Sequence, residues 1–537
     1  MTATDPQTVD PAQIAAALQL IGLEFSAGEI AQMAKRLLQR QQEYQDLRAV
    51  TLDNRVPPAL AFQPRALAIE PADPSAGAGP GERRTEPALP RPARAADLAF
   101  ASVAQLAQLL RSGQVRALEL AELYLERLRR FDPLLNCVVT PTAELALAQA
   151  QQADDELRRG IDRGPLHGIP WGAKDLLATR GIRTTWGAEP FRDQVPADDA
   201  TVVQRLAGAG AVLVAKLTTG ALANGDVWFG GQTKNPWDLQ EGSSGSSAGP
   251  GSATAAGLVG FSIGTETMGS ILSPSARCGV SGLRPSFGRV SRTGCMALSW
   301  SMDKIGPMCR TVEDCALVFA AIYGPDGQDT TVVNRPFRWP APLDLRALRI
   351  GYVPAAFETD RPGRAFDYET LAALRNLGAQ LVPIELPDYP HEALRLILLA
   401  EAAAAFDELT RHNQDDLLAR QDDEAWPNIF RMARLIPAVE YLQANRIRTQ
   451  LGAAMPTIMS QVDLYLQPFV WGKDLALTNY TGHPAVIVPN GCAENGRPTN
   501  SIVLVGRLYE EATLLSVAQG YQEQTLFHLH RPPGFND

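Results

Sequence analysis

One segment limits what this chain can become: Gly242 to Pro285, which reads GSSGSSAGPGSATAAGLVGFSIGTETMGSILSPSARCGVSGLRP. Small residues fill its start, from Ser243 to Gly249. Such a run on its own reads as a flexible linker. Two features oppose that reading. An apolar, Ala-rich stretch, Ala253 to Ile263, follows without a charged buffer, and a second turn sets Ser270 between Gly269 and Ile271. A Gly/Ser loop clamped between buried elements is the kind of backbone that approaches another group closely.

The rest of the chain supplies a core around that segment. Of 537 residues, 45% are hydrophobic and 20% charged, enough for a large core and for roughly two to four domains, or one large α/β domain with an appendage. The net charge of −10 argues against a nucleic-acid partner. Cys137, Cys278, Cys295, Cys309, Cys315 and Cys492 show no CxxC spacing, so neither a zinc site nor a disulfide framework is expected, and Cys137 and Cys315 read as buried thiols. The start, MTATDPQTVDPAQ, has no basic leader region, and no apolar run reaches about 18 residues. The expectation is a cytoplasmic protein with no membrane partner, cofactor or metal.

Along the chain, Ile14, Leu18 and Ile21 form one helical stripe, and Ile30, Met33, Ala34, Leu37 and Leu38 a second. They predict two helices between Pro11 and Val50, a small appendage on the main body or an oligomerisation element. Pro, Gly, Ala and Arg dominate Glu70 to Ala96 without periodicity, which reads as a linker. The expected division is therefore an appendage over 1–69, a linker over 70–97 and a catalytic domain over 98–537. Ser102 with Gln105 forms a capping-box signature, and helices are predicted over about 117–130, 143–159 and 201–207. Strands are predicted at Leu135–Thr140, Ile169–Ala173, Ala211–Ala215, Val259–Ile263, Leu348–Val353, Ala379–Ile384, Leu464–Pro468, Ala485–Pro489 and Ser501–Val505. A helix is expected to open at Ala253–Ala256, another to start at Thr311, another to run over Glu511–Glu523, and His391 to Gln450 to be mostly helical. This alternation predicts an α/β layered fold.

Three pieces of the chain then resemble a known signature. They are the loop Gly245-Ser246-Ser247-Ala248-Gly249, the turn Thr265-Glu266-Thr267-Met268-Gly269-Ser270-Ile271, and the run Cys278 to Ser291, CGVSGLRPSFGRVS. Upstream stands Gly168-Ile169-Pro170-Trp171-Gly172-Ala173-Lys174-Asp175. Together they resemble the amidase signature family of Ser–Ser–Lys hydrolases, from about Leu98 to the C-terminus. Ser246 lies 24 positions before Ser270 and 72 after Lys174, spacings similar to the family's. The resemblance implies a large mixed central β-sheet flanked by helices, and an amidohydrolase with Ser270 as nucleophile, Ser246 as relay on a cis peptide bond and Lys174 as base. Backbone N–H groups of Thr267, Met268, Gly269 and Ser270 would form the oxyanion hole.

The chemistry explains why these types are needed. An amide is a poor electrophile, so its hydrolysis requires an activated nucleophile and a charge-stabilising pocket. Lys174 must be neutral to take a proton, and burial beside Ile169, Pro170 and Trp171 would lower its ordinary pKa of about 10.4. Ser244 and Ser247 read as loop-structuring, Lys216 as a structural or surface lysine, and His483 as structural. Trp171, Trp228 and Trp300, and further along Met432, Leu435 and Tyr441, are core residues or pocket walls. Three positions depart from the family pattern: Glu266 replaces Asp, Met268 a glycine and Leu272 an arginine, so an acid–arginine pair is expected to be absent or rewired. The first reading is a monomeric or homodimeric amidase acting on a small or aryl amide, or, as a urethanase, on a carbamate. The alternative is the glutamine-hydrolysing A-subunit of a tRNA-dependent amidotransferase. A third is a catalytically dead binding scaffold, against which the retained Lys174, Ser246 and Ser270 speak.

Overall fold

Short, fully buried apolar runs alternate with helices along most of the chain, and they assemble one large mixed sheet. The structure is a computed structural model that describes residues 9–50, 90–341, 344–470 and 472–537. In chain order the strands are β1 (Val138–Pro141), β2 (Pro170–Lys174), β3 (Val212–Leu217), β4 (Val227–Trp228), β5 (Gly231–Gln232), β6 (Lys234–Asn235), β7 (Asp238–Gly242) and β8 (Phe261–Glu266). They continue as β9 (Ser281–Arg284), β10 (Lys304–Cys309), β11 (Arg349–Tyr352), β12 (Gln380–Pro383), β13 (Leu464–Pro468), β14 (Ala485–Cys492) and β15 (Pro498–Gly506). β4 with β5, and β6 with β7, make two small ribbons; the other eleven form one sheet in the order β1-β3-β2-β8-β10-β9-β14-β15-β13-β11-β12.

The sheet is mixed, as expected. β2 runs parallel to β3 and to β8, while β8, β10, β9 and β14 alternate antiparallel. β2, β3 and β8 are buried along their whole length, the pattern of strands covered by helices on both faces. The Ser102 capping box opens a helix over Val103–Arg111, and helices over Ala117–Leu135 and Ala143–Arg158 follow. Thr311 caps Val312–Ile322, and Glu511–Thr525 closes the sequence of long helices. One apolar core runs through these layers.

Several expectations needed correction. The helix behind the Gly/Ser loop starts at Ala248, directly after Ser247, and ends at Ala255, rather than opening near Ala253. Strands β9 and β10 were not expected, yet β10 is the partner of β8 and pairs Lys304 with Glu266. Of the two roles open to Met432 and Leu435, core packing is the one observed: they join a small apolar cluster with Ile14, Leu18, Met33 and Leu37. Tyr441 donates from its hydroxyl to Glu401 Oε1 at 3.0 Å.

That cluster belongs to the N-terminal hairpin, helices Pro11–Leu20 and Ala27–Ala49. Ser26 and Glu29 form a reciprocal capping box at the start of the second. Ile14 and Leu18 are buried as the stripe predicts, but Ile21 is 50% exposed. Of the expected linker, residues 70–89 lie outside the described residues. Its C-terminal end is seen: Arg91 pairs with Glu119, and Ala95–Ala99 is a short helix with Ala96 and Leu98 buried. Among the described residues, no helix is long and apolar enough to cross a membrane.

Candidate active site

Parallel strands β2 and β8 end side by side, and the groups of interest gather at and beyond their carboxyl ends, where open α/β sheets place ligands. Lys174 is the last residue of β2 and is fully buried. Its Nζ lies 2.8 Å from Ser246 Oγ, 2.9 Å from Thr265 Oγ1 and 3.4 Å from the Thr265 carbonyl. No carboxylate among the described residues pairs with it. Burial pushes the pKa of this ammonium down to about 7, and the more distant Cys295, Asp303 and Glu266 recover only part of the loss.

Ser246 is 1% exposed, and the Gly245–Ser246 peptide bond is cis, as the resemblance implies. Only glycine fits at 245, because a Cβ there would stand 1.8 Å from the Gly225 carbonyl. Ser244 has φ 61°, donates its N–H to Asp226 Oδ2 at 3.0 Å and shares a 2.7 Å hydrogen bond with Ser273. Ser247 ties the motif pieces together. Its N–H donates to the Ser270 carbonyl at 3.1 Å, its hydroxyl donates to the Thr265 carbonyl at 3.1 Å, and it accepts from the Thr265 N–H at 3.2 Å. Both serines therefore structure the loop.

Ser270 is half-buried and sits between Gly269, with φ 90°, and the short helix Leu272–Cys278. Among the described residues no hydrogen bond joins the Ser246 and Ser270 hydroxyls; the main-chain contact through Ser247 holds the two segments together. The N–H groups of Met268, Gly269 and Ser270 have no protein acceptor among the described residues, whereas those of Ile271 and Leu272 donate to Glu266 Oε2 at 2.9 and 3.0 Å. The acid–arginine pair is rewired rather than lost. Arg284, from β9, donates to Glu266 Oε1 at 2.9 Å, and Asn479 donates to the same oxygen at 3.1 Å. Burial alone would raise the pKa of Glu266, but Arg284 and Lys304 outweigh it and hold the carboxyl below its usual value.

The side-chain role of Thr265 and the pairing of the Thr267 hydroxyl with Asp303 were not anticipated from the sequence, which singled out Thr267 only for its backbone N–H. Thr265 holds Lys174 alongside Ser246, and its adjacency to Glu266 in the turn motif was the available signal. The Thr267 hydroxyl donates to Asp303 Oδ1 at 2.6 Å. A crevice of about 10 Å³ lies beside these groups, lined by Ala223, Thr265, Thr267, Cys295 and Asp303 among others. A cavity of about 820 Å³ between Val103–Arg111 and Ala143–Arg158 contains none of these groups.

The remaining candidates are structural. Lys216 is buried, donating to the Leu177 carbonyl at 2.7 Å and to Thr184 Oγ1 at 2.5 Å, so it is not a surface lysine. The His483 ring lies 2.8 Å from Thr481 Oγ1, and burial pushes its pKa down to about 4. Trp171 stacks on Phe261 in the core and Trp228 is buried, whereas Trp300 is half-exposed. Glu29, Asp415 and Asp416 have spacing that could hold a metal, but the Arg431 guanidinium sits among them at 2.7–2.9 Å. The six cysteines are free thiols.

Comparison with known proteins places the fold. A model of the family described as Amidase matches residues 119–473. The chain is 34% identical over 486 residues to the A-subunit of the glutamyl-tRNA(Gln) amidotransferase of Methylococcus capsulatus, covering 81% of this chain and 99% of that one. The native peptide amidase of Stenotrophomonas maltophilia superposes with a TM-score of 0.72 at 30% identity, over 81% of this chain and 99% of its own. A 6-aminohexanoate cyclic dimer hydrolase shares the fold, with a TM-score of 0.70 at 24% identity over 81% of this chain and 99% of its own. On this sequence match and this fold, the chain belongs to the Amidase family, the amidase-signature hydrolases of C–N amide bonds.

Proposed function

We propose that this chain is a stand-alone amidohydrolase that splits a carboxylic amide, an aryl amide or a carbamate through an acyl-enzyme on Ser270. Ser270 Oγ attacks the carbonyl carbon and its proton passes by way of Ser246 to Lys174. The C–N bond breaks, the amine leaves with the proton returned along the same path, and water repeats the sequence to release the acid. Developing negative charge on the carbonyl oxygen is met by N–H groups of the turn Thr267-Met268-Gly269-Ser270, three of which have no acceptor among the described residues. In free enzymes catalytic hydrogen bonds tighten once substrate arrives, which fits the separate Ser246 and Ser270 hydroxyls.

The observation that most supports this reading is Lys174: a buried amine without a carboxylate partner among the described residues, 2.8 Å from Ser246 Oγ. A salt-bridging lysine would sit beside an acid; this one sits where its charge is costly. The reading takes 98–537 as the catalytic domain, 1–69 as an appendage and 70–97 as the linker between them.

A second reading has support in the relatives named as A-subunits of glutamyl-tRNA(Gln) amidotransferase. It makes this chain a glutamine-hydrolysing component that works with a partner. One experiment separates the two. The purified chain alone is expected to hydrolyse 4-nitroacetanilide, and Ser270→Ala to lose at least ~10³-fold in kcat. Near wild-type turnover in Ser270→Ala removes Ser270 from its role; an inert wild type that hydrolyses glutamine only with a second protein favours the partner reading.

A further inference from the structure

The segment between β3 and β4 backs the catalytic loop. Gly225 presents its carbonyl to Gly245, so closely that no side chain fits between them, and Asp226 Oδ2 accepts the Ser244 N–H. Upstream, the same segment folds back on itself at Gly220, where a Cβ would stand 2.1 Å from the carbonyls of both Asn224 and Gly225. Between these contacts, Leu222 and Ala223 adopt φ of 50° and 61°, two consecutive non-glycine residues in the left-handed region. Such residues are strained and persist only where their surroundings over-determine them.

The surroundings are identifiable. The Leu222 N–H donates to the Trp186 carbonyl at 2.9 Å, and the Trp186 N–H donates to the carbonyl of Asp175, next to Lys174, at 3.0 Å. The Leu222 carbonyl accepts from Trp426 Nε1 at 3.0 Å. Trp426 opens the helix Trp426–Ala433 and stacks on Phe430, with ring centres 5.0 Å apart. That helix is fixed from behind by the N-terminal hairpin. Met432 packs with Met33 and Leu37, Arg431 pairs with Glu29 at 2.7 Å, and Gln32 donates to the Gln421 carbonyl at 2.8 Å. The family match covers residues 119–473 and does not include the hairpin.

We propose that the N-terminal hairpin, acting through Trp426, is a positioning device for the Ser246 relay. It holds the helix Trp426–Ala433, which fixes the left-handed Leu222–Ala223 turn, which in turn presses Gly225 and Asp226 against Ser244 and Gly245. Neither the hairpin nor Trp426 touches the reacting groups. The inference rests on the amidohydrolase reading above.

The test uses the full-length chain with two single variants and their combination. Trp426→Phe keeps the stacked ring and removes the donor to Leu222. Met33→Asp places a charge in the hairpin contact and undocks it; where that variant does not fold, Glu29→Gln takes its place. Hydrolysis of 4-nitroacetanilide is measured per active site, with sites counted by a covalent serine probe, beside wild type and Ser270→Ala. Each single variant is expected to lower kcat roughly 5- to 20-fold with KM within about 2-fold of wild type, and the double variant no further than the worse single. A purely structural contact would lower melting temperature and the number of active sites but leave kcat per site unchanged, and that result overturns the proposal. So does a double variant whose losses multiply. Activity retained in Ser270→Ala refutes the amidohydrolase reading instead.

Discussion

Lys174 is held by hydroxyls and a carbonyl where an acid would normally stand, and that choice has a measurable consequence. With burial lowering its pKa to about 7, the amine is charged below that pH and neutral above it. Base catalysis therefore rises with pH: kcat/KM for an aryl amide is expected to fall about tenfold per pH unit well below 7 and to level off above it, checked by a pH–rate profile from about 5 to 9. The stability sign runs the same way. The unfolded chain holds this proton up to about pH 10.4 and the folded one releases it near 7, so this group makes folding more favourable as pH rises between those values. Glu266 is a contrasting case, a carboxylate paired with Arg284 with both side chains fully buried. Removing one partner strands the other charge, so Arg284→Met is expected to destabilise the fold by about 3–5 kcal/mol in urea unfolding. A loss below about 1 kcal/mol would mean that the pair does not hold the turn.

Among the elements, what the sequence made legible follows from how much apolar pattern each carries. β13 lies where its apolar run places it, Leu464–Pro468, and the helices at Ser102 and Thr311 begin at their capping residues. β9 and β10 escaped because their sequences, SGLR and KIGPMC, carry Gly, Pro and charge. They are strands because their neighbours make them so: β9 lies between β10 and β14, and Arg284 has Glu266 to meet. The early start of the helix Ala248–Ala255 was hidden by Gly249, Pro250 and Gly251, all poor helix formers. Proline lacks only an N–H that the first turn leaves unpaired, and the glycines admit close neighbours: a Cβ on Gly249 would stand 2.4 Å from the Thr218 nitrogen. In the candidate site, Lys174, Ser246 and Ser270 were named through the motifs' resemblance to the family, and the structure brings Lys174 and Ser246 within 2.8 Å of each other. Thr265 and the Arg284 partner of Glu266 became visible only in three dimensions, since each acts through contacts that sequence distance conceals.

At the scale of the whole molecule, the site is a meeting of distant segments on a rigid frame. Lys174 arrives on β2, Thr265 on β8, Ser246 on the loop before a buried helix, and Ser270 on the turn after β8. The frame is shared with known amidases. The N-terminal hairpin packs against the helical region 391–450 through Met33, Leu37 and Met432. On the proposed mechanism, this assembly makes Ser270 nucleophilic. Peptide mass spectrometry of the intact chain after reaction with an activated aryl carbamate tests it most directly. The predicted result is one carbamoyl group per chain, carried by the peptide that contains Ser270 and absent from Ser270→Ala and Lys174→Ala. A modified wild type whose label lies on another residue, or a Ser270→Ala protein that labels equally well, would contradict it.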